Sequence, residues 1–115
     1  MGIFSGGDND RGHMNQVAEF LFEGEEVLQT YGLLLDFVAL TNKRILFVDK
    51  TAMSRRTAVI SIPYSKVEAI SIEKGKLWSL SNRVEIQTKG RTYELEFLKG
   101  ADVMGFYRTL ARMIC

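Results

Sequence analysis

The sequence is poor in the residues that carry out chemistry. Its 115 residues include one histidine, one cysteine, one tryptophan and one proline. The cysteine, Cys115, is the last residue, so no intramolecular disulfide can form. A lone thiol with no secretory leader fits a reducing compartment, and the expected location is the cytoplasm. A nucleophile–base pair of the hydrolase type needs serine or cysteine beside histidine. The sole histidine, His13, follows a Gly/Asp/Asn-rich opening stretch. A metal centre needs several His, Cys or grouped carboxylates, and no such spacing occurs. No glycine run has phosphate-loop spacing. The chain is therefore expected to be no enzyme and to use no cofactor.

Charge of one sign is missing too. Fifteen Lys and Arg stand against fourteen Asp and Glu, for a net charge of +1. Nucleic-acid binders present a strongly basic face, so no nucleic-acid partner is expected. No apolar run approaches the ~18 residues of a membrane-spanning helix. The opening Met1-Gly2-Ile3-Phe4-Ser5-Gly6 lacks the Ser or Thr that an N-myristoylation signal has at its sixth position.

What remains is ordinary globular composition, 46% hydrophobic and 25% charged, enough for one domain with a proper core. Residues 1–12 read as a flexible tail and 13–115 as the domain. Val17, Phe20 and Leu21 are spaced for one face of a short helix that Gly24 ends. Strands follow over 26–33, 35–41 and 44–49, with a turn at Asn42-Lys43. A polar loop over 50–56 precedes a strand over 57–62 that Pro63 ends or edges, and a fifth strand spans 67–73. Val84, Ile86 and Thr88, then Tyr93, Leu95 and Phe97 after Lys89-Gly90, alternate with polar residues and form an antiparallel hairpin with one wet face. Asp102 is a good N-cap for a last helix with Val103, Phe106, Tyr107, Leu110 and Ile114 as its apolar stripe. The order is helix, about seven strands, helix. This predicts a mainly β, α+β fold: a strongly bent antiparallel sheet or barrel, with the terminal helix covering its open end.

Two segments break the alternation. Phe37-Val38-Ala39-Leu40 and Ile45-Leu46-Phe47-Val48 are apolar at successive positions, although neighbours on a strand face opposite ways. Both faces of these strands must be covered: one by the barrel interior, the other by the N-terminal helix through Val17, Phe20 and Leu21, by another subunit, or by a partner. Leu35, Phe37, Ala39, Ile45 and Phe47 are the candidate self-association surface. Burying one large aliphatic group stabilises by about 1.5–3 kcal/mol, so a few suffice for a modest interface. Unpaired strand edges suit the same role.

Lys50, Arg55 and Arg56 form a short basic patch. It is either a solvated loop or a site for an acidic partner or anionic membrane surface. Leu77-Trp78-Ser79-Leu80 is either an aromatic anchor for a partner or a loop folding over a barrel end. Glu25-Glu26, adjacent on a strand, point to opposite faces and read as a solvated pair.

Leu40-Thr41-Asn42-Lys43-Arg44-Ile45, with Ser61-Ile62-Pro63-Tyr64 about two strand lengths later and the opening Met1-Gly2-Ile3-Phe4, resembles the bacterial pleckstrin-homology (PH-like) family over nearly the whole chain. The resemblance implies a seven-stranded, strongly bent barrel capped by a C-terminal helix, a non-catalytic role and ring-like homo-oligomers. It also brings eukaryotic phosphoinositide binding to mind, which uses cations around the first hairpin loop. Here that loop, Tyr31 to Asp36, has no cation and carries an aspartate. The expected partner is therefore the chain itself, with another protein as the second candidate.

Overall fold

The structure, a computed structural model, describes residues 11–33, 37–49, 58–73, 81–98 and 100–115. Helix α1 covers Arg11–Ala18. Strands β1 (Val27–Gly32), β2 (Phe37–Thr41), β3 (Arg44–Asp49) and β4 (Ala58–Pro63) follow, and a single 3-10 turn, Tyr64–Lys66, leads to β5 (Val67–Glu73). Strands β6 (Ser81–Thr88) and β7 (Arg91–Leu98) form the hairpin that the alternation predicts, and α2 (Val103–Ile114) closes the chain.

The strands form two antiparallel sheets, β1-β2-β3-β4 and β5-β6-β7. Among the described residues a single bridge, Leu33 to Phe97, joins the outer strands of the two sheets at one corner. The expected barrel is thus two sheets closed on the β1–β7 side. On the other side β4 and β5 leave the 3-10 turn as edge strands, with no ladder between them among the described residues. Register shifts mark bulges in β1 and β5, between Val27 and Gln29 and between Val67 and Ala69. An extra residue of this kind bends a strand and tightens its twist.

Alternation decides what lies between the sheets. Val84, Ile86, Leu95 and Phe97 point inward to meet Tyr31, Val38, Leu40, Ile45 and Ile62. Helix α2 plugs this interior with Val103, Phe106 and Leu110. Phe106 packs against Tyr31 and Phe97 at ring-centroid distances of 5.2 and 5.0 Å, separations at which aromatic pairs attract. Asp102 caps the helix: its carboxylate accepts from the Gly105 N–H at 3.0 Å, one of the donors a helix start leaves unmatched.

A second, smaller core lies on the outside of the four-stranded sheet. Phe37 pairs with Val48 and Ala39 with Leu46, so these four share one face, and the other face holds Val38, Leu40, Ile45 and Phe47. Val17, Met14 and Leu21 cover the outer four, along with Val27 and Val59. The His13 ring stacks on Phe37 at 4.2 Å. The doubly apolar strands thus have two coverings, and the outer one is the chain's own helix. That helix is shorter than expected, ending at Ala18. Phe20 therefore leaves the stripe predicted for it and is 44% exposed. Gly24, at φ 86°, sits in a separate turn that its lack of a Cβ permits.

Phe37 is fully buried under α1 and touches no solvent. Phe37→Ala is expected to cost about 3–5 kcal/mol, whereas Phe20→Ala at the exposed position should change stability by less than about 0.5 kcal/mol. Urea unfolding of both variants checks this; equal losses would mean that α1 does not seal the outer face.

Candidate functional site

Thr41-Asn42-Lys43-Arg44, the turn between β2 and β3, organises the densest group of polar contacts. Glu25, in the connection from α1 to β1, enters it. The Glu25 side chain is fully buried, and Arg44 is partly buried, its side chain 19% exposed. Arg44 Nε donates to Glu25 Oε2 at 2.8 Å and Nη2 donates to Oε1 at 2.9 Å. This is the two-pronged pairing that the planar guanidinium favours. The Thr41 hydroxyl donates to the same carboxylate at 2.7 Å and accepts from the Lys43 and Arg44 N–H groups. The Phe22 N–H donates to it as well.

The remaining arms of the turn fasten the same connection. Asn42 accepts from the Glu26 N–H at 2.8 Å and donates to the Gly24 carbonyl at 3.1 Å. Arg44 also donates to the Phe20 carbonyl and to Ser61 on β4, and its guanidinium lies over the Phe22 ring at 5.2 Å. From the 3-10 turn, the Tyr64 hydroxyl donates to the Thr41 carbonyl at 2.6 Å. The motif residues Thr41, Asn42, Arg44 and Tyr64 thus act as a latch between the α1–β1 connection, the β2–β3 turn and the end of β4. Lys43 alone among the turn residues projects its charge into solvent.

The electrostatics agree with a closed latch. Burial pushes the Glu25 carboxyl up, but hydrogen bonds from Arg44, Thr41 and Phe22, with the Arg44 charge, outweigh it and hold the group below its usual range. Burial and the neighbouring Glu25 charge push the Tyr64 hydroxyl up, so Tyr64 stays a donor. Glu25 and Glu26 precede β1 instead of lying on a strand; Glu26 is exposed, but Glu25 is buried and not solvated. The expectation of a solvated pair fails because Arg44, nineteen positions away, comes back beside it.

The other candidate residues are scattered. Phe37 and Ala39 lie under α1, whereas Ile45 and Phe47 lie on the opposite face with the main core. The proposed self-association set therefore does not form one surface. Leu35, Lys50, Arg55, Arg56 and the Leu77–Leu80 segment lie outside the described residues, as does the tail up to residue 10. His13 serves as a packing ring. No helix among the described residues is long and apolar enough to cross a membrane. On the wet face of the three-stranded sheet, Arg83 bridges Glu73 at 2.9 Å and Glu94 at 3.4 Å.

Two features were not legible beforehand. One is the β4–β5 seam, where Ile60, Val67, Ile70 and Ile72 pack against the core only partly buried. The other is the exposed aromatic pair Phe20 and Phe22, 44% and 51% exposed on the latched connection. The helical spacing concealed the aromatic pair, and strand pairing, which sets the seam, has no local signal.

Two bent sheets with a C-terminal helix in the open end define the pleckstrin-homology architecture. The profile of the bacterial PH domain family matches residues 4–114, and the chain belongs to that family. It is 30% identical over 115 residues to the uncharacterised protein YozO of Bacillus subtilis (strain 168), covering all of this chain and 99% of that one. It is 28% identical over 100 residues to YjqA of the same organism, covering 84% and 80% of the two chains. Among solved structures, the pleckstrin homology domain from Shewanella amazonensis SB2B superposes with a TM-score of 0.79 at 23% identity, over 95% of this chain and 91% of that one. A DUF1696 family protein with a pleckstrin-homology domain from Shewanella loihica PV-4 gives 0.75 at 20%, over 99% and 100%.

Removing one partner of a buried ion pair leaves the other charge uncompensated, so Arg44→Met should cost about 3 kcal/mol. A glutamate with a lowered folded pKa adds stability that is present above its ordinary value of 4.5 and is lost as pH falls through the folded value. The stability gap between the wild type and Glu25→Gln should therefore be full at pH 7 and shrink steadily below about pH 4.5. Chemical denaturation across that range measures it; a gap independent of pH would show that the carboxylate charge contributes nothing.

Proposed function

We propose that this chain is a non-catalytic binding and scaffolding module of the cytoplasm that self-associates head to tail, in a closed ring. The open β4–β5 seam carries the reading. Two edge strands there end their sheets without a described partner, and half-buried Ile60, Ile70 and Ile72 lie beside them. Unpaired strand edges offer backbone donors and acceptors to another chain. Pairing β4 of one copy with β5 of the next would complete both edges and cover the aliphatic groups. Such a contact joins two different surfaces, and copies joined that way close into rings when the rotation allows.

Further support comes from how the family residues are used. Arg44, Thr41 and Asn42 are spent on the latch, so the signature turn has only Lys43 to offer a ligand. A role in assembly needs no such group.

Light scattering at micromolar concentration should give a mass of several chains for the wild type. Ala69→Lys/Ser71→Lys puts lysines on the exposed face of the edge strand β5, where they oppose pairing with another chain, and should give a folded species of lower mass. A wild type that stays at 13.0 kDa would overturn the reading.

A further inference from the structure

The connection between α1 and β1 presents an unusual surface. Phe20 and Phe22 are two of the three large hydrophobic side chains exposed among the described residues. A flexible loop would fold such groups away or let them move. This one is held by the Phe20 N–H to the Val17 carbonyl, the Glu25 N–H to the Phe22 carbonyl, and the ties from Arg44 and Asn42. Aromatic groups fixed outward on a rigid loop lose little entropy when they bind, which makes them effective anchors.

The flanking charge says what they fit. Glu19, Glu23 and Glu26 are exposed, and none has an ion pair among the described residues. The one cation over these rings, Arg44 on Phe22, is already matched by Glu25, so the three carboxylates beside the two aromatic residues in sequence leave the loop acidic, which repels an anionic membrane and favours a cationic, partly apolar surface. The chain carries one. On α2, Arg108 and Arg112 are exposed without an ion-pair partner among the described residues, and the half-buried Met104, Tyr107 and Ala111 lie beside them at helical spacing.

We infer that the loop from Glu19 to Glu26 docks, through Phe20 and Phe22, on the Arg108/Arg112 side of α2 in a second copy of the chain. The rings meet Tyr107 and Met104, and the carboxylates meet the two guanidiniums. The contact rests on the proposed self-association but not on the seam: its chemistry is aromatic and ionic where the seam offers backbone edges and aliphatic groups.

The test is charge exchange, read by sedimentation velocity at low and high salt. Phe20→Ser/Phe22→Ser, Glu19→Lys/Glu23→Lys and Arg108→Glu/Arg112→Glu all alter exposed side chains, and circular dichroism verifies that each variant folds. Each alone should weaken self-association at least tenfold, and high salt should weaken the wild type. Because Arg108→Glu/Arg112→Glu supplies the acidic α2 that the lysine loop then matches, mixing the two charge-reversed variants should restore association. Assembly that survives all three changes while Ala69→Lys/Ser71→Lys abolishes it would overturn the loop contact and leave the seam reading standing. A monomeric wild type would overturn both. Binding of the folded wild type to anionic vesicles through Phe20 and Phe22, without self-association, would also overturn it.

Discussion

The ion pair between Glu25 and Arg44 is the constraint on which the arrangement of this domain turns. A fully buried carboxylate is costly unless its charge is matched and its oxygens are bonded. Here both oxygens are used, by a two-pronged guanidinium, a threonine hydroxyl and a backbone N–H. Those bonds fix the segment that enters β1, and that segment decides where α1 lies. At eight residues, α1 is too short to persist as an isolated helix. It stays on the outer face of β2 and β3 because Val17 and Met14 pack there and because the chain that follows it is tied down.

This placement changes which surface is available for binding. A strand that is apolar on both faces invites the idea of an intermolecular cover. In this domain α1 supplies that cover, and Phe37, Ala39, Leu46 and Val48 are closed off. Free surface lies elsewhere: at the β4–β5 seam, where the two sheets part, and on the latched connection, where Phe20 and Phe22 point outward. The same latch that closes one apolar face therefore holds another apolar group in the open.

Most of the fold was legible because it has local causes. The alternation over 83–97 is repeated strand by strand in the pairing of Val84 with Leu95 and Ile86 with Tyr93. Asp102 caps the helix as its position suggests. The double apolarity of Phe37–Leu40 and Ile45–Val48 correctly implied two coverings. What the sequence did not disclose depends on distant partners. Nothing near Glu25 announces Arg44, so a buried ion pair looked like a solvated pair of acids. The resemblance to the bacterial PH family pointed to Thr41–Arg44 without saying what the turn does, and its work is structural. The faces of β2 and β3 could not be assigned from one strand alone. Only the register between them separates Phe37 and Ala39 from Ile45 and Phe47.

Native-state amide exchange compares the latch with the rest of the fold most directly. If the Glu25–Arg44 pair holds the α1–β1 connection against the β2–β3 turn, Glu25→Gln should lower protection at residues 14–26 and at Lys43 and Arg44 together, while β6 and β7 keep theirs. Protection that falls equally in every strand, or that does not fall around α1 at all, would contradict that role for the pair.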